Sequence, residues 1–181
     1  LKSITIKYMN DRLQLVKFII KFFQVEHSIM DAVGVIIETP AGTVIHPGDW
    51  TMDRDKNGQS TLGYTYLQKL PKPTVLMLES LGSLNEKRSG NYEDMYKNLQ
   101  NILANANGRV IIGTFSSQVE RIKWVLDAAD KLGKKVALDG YSMKMNIEIA
   151  KELGYIKIPK GLLIDVKKID DYHDKEIVII C

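Results

Sequence analysis

The strongest constraint on this chain is a pair of β-branched runs, AVGVIIET at 32–39 and TVIH at 43–46, separated only by Pro40-Ala41-Gly42. Branching at Cβ favours extended backbone, and a short Pro/Gly segment between two such runs reverses the chain, so the pattern predicts a hairpin. An apolar run before it, KFFQV at 21–25, stops at the polar tip Glu26-His27-Ser28, and the second arm stops at the turn Pro47-Gly48-Asp49. His27 and Asp49 are therefore expected at the ends of neighbouring strands. A sheet enzyme places ligands for a hard or borderline cation, such as zinc or manganese, at such ends. One histidine beside one aspartate is also a common loop pair, and a metal site needs at least three protein ligands. Spacing alone leaves both readings open.

Upstream, residues 4–8 and 15–25 read as strands leading into the His27 loop. Downstream, TMDRDKNGQS at 51–60 is polar with a turn at Asn57-Gly58, residues 62–70 are of mixed character, and Pro71-Lys72-Pro73 breaks them. Residues 74–78 (TVLML) are expected as a buried strand that ends in a carboxylate, Glu79. The stretch LGSLNEKRSGNY at 81–92 has no apolar period, and a domain boundary is expected there, giving domains 1–84 and 85–181.

Beyond the boundary, helix and strand patterns alternate. Residues 92–106 predict an amphipathic helix with Met95, Leu99, Ile102 and Leu103 on one face. A strand at 109–113, a helix at 117–132 closed by Gly133, a strand at 135–138 and a helix at 143–153 closed by Gly154 follow. A short apolar stretch at 162–166 and a final strand at 176–180 complete the series. Such alternation implies an α/β domain of three layers with a mostly parallel sheet.

Composition narrows the class. With 45% hydrophobic and 26% charged residues, the chain can bury a core and is not of the disordered type. A net charge of +3 is too small to demand a nucleic-acid partner but permits a local basic groove. The single cysteine, Cys181, excludes an internal disulfide and fits a reducing, cytoplasmic setting. No run approaches the roughly 20 apolar residues of a membrane span, so no membrane partner is expected. The chain starts without Met and stops inside an apolar strand; on that ground it is expected to be a piece of a longer protein.

Four further groups carry chemistry. Glu79 would be a third candidate at the same sheet edge, or simply a solvated strand end. Thr114-Phe115-Ser116-Ser117 sits between a strand and a helix, where backbone N–H groups and hydroxyls suit an anion such as phosphate; serine capping of the helix is the commoner role. Asp139-Gly140-Tyr141-Ser142-Met143 forms a second strand-to-helix junction. His46 could orient a ligand by hydrogen bond, whereas His173 reads as a surface loop residue. Arg109, Arg121, Lys123, Lys131, Lys134 and Lys135 read as solvated surface.

The stretch HSIMDAVGVIIETPAGTVIHPGDW at 27–50 resembles the ribonuclease J branch of the β-CASP metallo-β-lactamase nucleases, whose pattern is roughly HSIPD, a hairpin, then HTGDF. Met30 stands where that family has proline and Trp50 where it has phenylalanine. By this resemblance His27 is similar to the third metal-binding motif and Asp49 to the fourth, the aspartate that bridges two metals. Glu79-Ser80 is similar to the first β-CASP motif, and Asn85, Arg88 and Gly90 to the family's STNAERPG. The 114–117 segment resembles ATFASNI, and DGYSM resembles SGRSM with Tyr141 in place of arginine, so that base stacking could replace a charge contact.

What the resemblance implies is part of a metallo-β-lactamase αββα sandwich followed by a β-CASP domain. It implies a metal-dependent ribonuclease, 5′ exonuclease and/or endonuclease, acting on single-stranded RNA with two divalent ions, zinc or else manganese or magnesium. Asp49 and Glu79 would be catalytic, His27 and Asp49 would hold metal, and Ser116, Ser117, Gly140 and Ser142 would contact RNA phosphate. A homo-oligomer is compatible with this. The family's His-x-His-x-Asp-His motif is absent from the sequence, so the chain by itself is expected to be inactive. The alternatives are a non-catalytic RNA-binding module, or a DNA-directed or other hydrolase of the superfamily.

Overall fold

The computed structural model describes residues 5, 11–51, 62–84 and 92–181. Expectations for the strand at 4–8, the turn at Asn57-Gly58 and the motif residues Asn85, Arg88 and Gly90 fall wholly or mostly outside these residues. The chain divides into two compact units, one of Leu1–His27 with Asp31–Ser89 and the other of Ser28–Met30 with Gly90–Cys181.

The first unit is built on a five-stranded sheet in the order β1-β2-β3-β4-β5, comprising Arg12–Leu15, Phe18–Gln24, Val33–Thr39, Gly42–His46 and Thr74–Leu76. β1 to β4 are antiparallel neighbours, and β5 joins β4 in parallel. The expected β3–β4 hairpin forms with Pro40 and Ala41 as its loop. Thr39 fixes it, because its Oγ1 accepts from the N–H groups of Ala41 and Gly42 at 3.1 and 3.2 Å. Ile36 pairs with Ile45 across the hairpin, and both join Phe23 and Val25 in a core covered by Trp50, Tyr64, Leu67 and Leu70. Phe23 pairs with Gly34, and a Cβ at Gly34 would overlap the Phe23 ring.

Three expectations are corrected in this unit. The run at 15–25 is two strands, because Val16 and Lys17 form a tight turn with Val16 at φ 54°. Valine seldom enters that region, so no Gly or Asn marks the reversal. Residues 64–69 form a 3-10 helix rather than an indefinite segment. The run at 74–78 is not buried: β5 is the last strand of the sheet, and Val75, Leu76, Met77 and Leu78 are all exposed.

The second unit has the expected α/β character. Its strands β6 (Val110–Ile112), β7 (Lys135–Leu138), β8 (Leu163–Ile164) and β9 (Ile177–Ile180) lie in the order β6-β9-β7-β8, all parallel. Helices α1 (Tyr92–Asn105), α2 (Val119–Lys131) and α3 (Tyr141–Glu152) accompany them. β9 reads IVII with Ile177, Val178 and Ile180 fully buried, the continuous apolar run of a parallel strand covered on both faces. The core joins Leu103 of α1, Ile122 and Leu126 of α2, and Ile147 of α3 to that sheet. The inward face of α1 is Tyr96, Leu99 and Leu103, with Met95 and Ile102 exposed, so the face expected from sequence is rotated. Among the described residues no helix is long and apolar enough to cross a membrane.

Gly34→Ala should destabilise the first unit by about 1–3 kcal/mol, since the rigid Phe23 ring must leave its packed position to admit one methyl group. Urea unfolding followed through Trp50 fluorescence in a Trp124→Phe background reads the loss.

Candidate metal edge and phosphate edge

β3 lies between β2 and β4, so the strands that end near His27 and Asp49 are next-but-one neighbours rather than adjacent. Because β3 is antiparallel to both, β2 and β4 run the same way and their C-terminal ends emerge at one edge. His27 and Asp49 each follow their strand by three residues. There His27 Nε2 stands 3.8 Å from Asp49 Oδ2, with the imidazole only 20% exposed and the carboxylate 79% exposed. His27 Nδ1 is buried and has no hydrogen-bond partner among the described residues.

Two short connections hold these loops in place. The Thr51 N–H and hydroxyl both donate to the Glu26 carbonyl, at 2.8 and 2.9 Å. His46 Nδ1 accepts the Gly48 N–H at 3.1 Å, within a turn whose Gly48 sits at φ 73°. His46 thus shapes the turn before Asp49, a different task from orienting a ligand side chain.

With metal bonds of about 2.0–2.2 Å to imidazole nitrogen and carboxylate oxygen, one ion can contact two donors that are 3.8 Å apart. The donor chemistry fits a divalent ion as half of a ligand set. Among the described residues no group of three or more His, Cys, Asp or Glu is placed to hold a metal. Glu79 follows β5 to the same edge, because β5 is parallel to β4. It is exposed, and its Oε2 accepts the Leu81 N–H instead of completing that set.

In the second unit, both strand-to-helix junctions leave the C-terminal edge of the parallel sheet, the edge at which open α/β sheets take ligands. α2 begins at Val119 with Gln118 as N-cap and no side-chain cap bond, so neither Ser116 nor Ser117 caps it. Both serines lie in the preceding turn; Ser117 is exposed, and Ser116 Oγ accepts from Asn146 Nδ2 of α3 at 3.0 Å. α3 begins two residues earlier than expected, at Tyr141, with Gly140 at φ 85° and ψ 141° as N-cap and Ser142 in the first turn.

Gly113, Gln118 and Arg121, not singled out for this role in the sequence, join Thr114 and Phe115 at the β6 junction. Gly113, Thr114, Phe115, Gln118 and Arg121 bound an open cleft of about 420 Å³. Gln118 Oε1 accepts from Thr114 Oγ1 and from Arg121 Nη1, both at 3.0 Å, while the Phe115 ring is 76% exposed. The usable sequence signal was position: Arg121 lies in the first turn of a helix that directly follows a strand, where a cation reinforces an anion site.

Other basic residues read as plain surface have structural tasks. Arg109 bridges Asp170 and Asp174 at 3.1 and 2.6 Å, and these bonds raise its pKa above the usual arginine value. Lys131 lies over the Tyr96 ring, 5.5 Å from its centroid, and Lys135 Nζ donates to the Gly161 carbonyl at 2.7 Å.

Comparison with known proteins gives one consistent answer. Residues 107–181 match the family model of the ribonuclease J β-CASP domain. Ribonuclease J of Mycoplasma genitalium is 34% identical over 166 residues, 91% of this chain and 29% of that protein. The Thermus thermophilus protein of the same name is 34% identical over 175 residues, 94% of this chain and 30% of its own length. That of Helicobacter pylori is 34% identical over 167 residues, 91% and 24%. The chain thus spans under a third of the length of these curated relatives. In fold it is similar to a crystal structure of a protein of unknown function from Enterococcus faecalis V583, with a TM-score of 0.69, 18% identity, and coverage of 100% of this chain and 45% of that one.

Gly140→Ala should cost about 1–3 kcal/mol, because a side chain is strained at that positive φ although the space beside it is open. Thermal unfolding of the second unit measures it.

Proposed function

We propose, taking as premise that residues 107–181 belong to the ribonuclease J β-CASP family, that the protein from which this segment comes is a metal-dependent ribonuclease. It would hydrolyse RNA phosphodiesters from the 5′ end, internally, or both. The observation that carries the catalytic part is the approach of His27 Nε2 to Asp49 Oδ2 at 3.8 Å, on loops that leave the same sheet edge.

Divalent ions at such a site supply a nucleophile at neutral pH and offset charge that builds on phosphoryl oxygens. His27 provides an imidazole nitrogen from a largely buried ring, and Asp49 an exposed carboxylate. This mixed nitrogen and oxygen set favours zinc or manganese over magnesium, which prefers oxygen donors. Glu79, at the same edge, is the remaining acidic candidate to support the reaction. The remaining donors would come from outside the described residues. A cytoplasmic location accords with the single free thiol.

For the second unit, the proposed role is to hold the RNA backbone. Ser116, Ser117, Gly140 and Ser142 offer hydroxyls and backbone N–H groups at two strand-to-helix junctions, and Arg121 adds a positive charge to the cleft. A second reading follows from the contrast between the two edges. Hydroxyls and backbone N–H groups lie at both junctions of the second unit, while among the described residues no three metal ligands come together, which supports a 181-residue segment that binds RNA without cutting it.

Metal content and cleavage of 5′-labelled single-stranded RNA should be measured for this segment and for a version extended at both ends. The extended protein should hold about two metals per chain and lose cleavage on Asp49→Ala, while the segment cleaves nothing. Binding of RNA by the extended protein with neither metal nor cleavage would replace the nuclease with the binding module. Arg121→Ala should weaken RNA binding by the segment uniformly across sequences and lower the salt slope by about one unit, read by fluorescence anisotropy between low and moderate salt.

A further inference from the structure

The two loops of the metal edge meet at a third side chain that belongs to neither. Tyr64 opens the 3-10 helix Tyr64–Lys69. Its hydroxyl oxygen accepts the backbone N–H of Glu26 at 3.2 Å and the indole Nε1–H of Trp50 at 3.1 Å. Glu26 immediately precedes His27, and Trp50 immediately follows Asp49. One oxygen therefore ties together the residues adjoining both candidate ligands, beside the Thr51 bonds to the Glu26 carbonyl.

The ring of Tyr64 is itself fixed. It meets Trp50 edge-on with centroids 4.8 Å apart and Phe23 edge-on at 6.4 Å, and it packs on the core of Phe23, Val25, Ile36 and Ile45. A hydroxyl on a ring held in that way is a fixed point, unlike a serine or lysine tip with free rotors. The His27 and Asp49 side chains are less tightly held: Asp49 is mostly exposed, and its Oδ2 approaches His27 Nε2 no nearer than 3.8 Å. The separation of the two ligands is thus set chiefly by the backbones on either side.

We propose that Tyr64 is a positioning residue for the metal edge, its hydroxyl fixing the span between His27 and Asp49 by bridging the Glu26 N–H and the Trp50 indole. The inference rests on the reading of His27 and Asp49 as metal ligands. Removing the hydroxyl takes this shared acceptor away from both donors and lets the loops separate while the ring and the core stay in place. Groups that orient ligands from behind in this manner typically change metal affinity by 10–100-fold when mutated.

The test uses the 181-residue chain and manganese(II) alone as probe, with paramagnetic broadening of the His27 imidazole resonances as readout. Wild type, Asp49→Ala, Tyr64→Phe and Trp50→Phe are titrated, and thermal melts check folding. The expected result is site-specific broadening in wild type, its loss in Asp49→Ala, and a 10–100-fold weaker apparent affinity in Tyr64→Phe. Trp50→Phe, which keeps an aromatic ring but removes the indole donor, should shift the same way. A purely packing role would lower the melting temperature without moving the manganese affinity of the folded protein. Wild-type broadening that Asp49→Ala removes, together with unchanged affinity in both Tyr64→Phe and Trp50→Phe, overturns the positioning role alone. Absence of His27 broadening in wild type, or its persistence in Asp49→Ala, overturns this inference, while the metal reading stands or falls with the metal content of the extended protein.

Discussion

Antiparallel pairing of β3 with both of its neighbours is the constraint on which the candidate metal edge depends. A strand flanked on each side by antiparallel partners forces those partners to run the same way, so β2 and β4 release their following residues at one end of the sheet. β5 adds to β4 in parallel and releases Glu79 there as well. No side-chain interaction is needed to gather His27, Asp49 and Glu79 at one edge; backbone direction does so. Side chains decide only the last few ångströms, in which His27 and Asp49 come within 3.8 Å while Glu79 turns back to its own backbone.

The second unit reaches a comparable result by another route. Its four strands are all parallel, and the last in sequence, β9, inserts between β6 and β7. That insertion places one strand between the junctions that follow β6 and β7, while both still open at the same edge. The Asn146–Ser116 bond then links α3 to the turn before α2 across that interval. Two glycine-containing or hydroxyl-rich connections, each weak evidence of function by itself, thereby become neighbours along one rim. Burial of β9 on both faces makes this rim rigid, because moving either junction would disturb a fully packed strand.

How much of this was legible in the sequence depended on whether a feature was local. The β3–β4 hairpin was, because turn chemistry and Cβ branching agree at 32–46, and so was the alternation of helix and strand that gives the parallel sheet. The turn at Val16 was not, since valine there contradicts local preference and is imposed by pairing of β1 with β2. The face of α1 was misjudged because Met95, Leu99, Ile102 and Leu103 satisfy helical period as well as Tyr96, Leu99 and Leu103 do; the packing partners on α2 choose between them. The placement of His27 and Asp49 just beyond strand ends was readable from position, whereas Tyr64 was hidden in a segment without period. Its task appears only when three stretches far apart in sequence converge on one oxygen.

The last residue described has a use of its own. Cys181, the sole cysteine, is exposed and continues the ladder: its N–H donates to Ile112 and its carbonyl accepts from Thr114. A dye attached to its sulfur would therefore be anchored by these backbone bonds to Ile112 and to Thr114, which itself lines the cleft of Phe115 and Arg121. The chain carries a native labelling position from which the arrival of an oligonucleotide can be followed optically, with no other thiol to remove first.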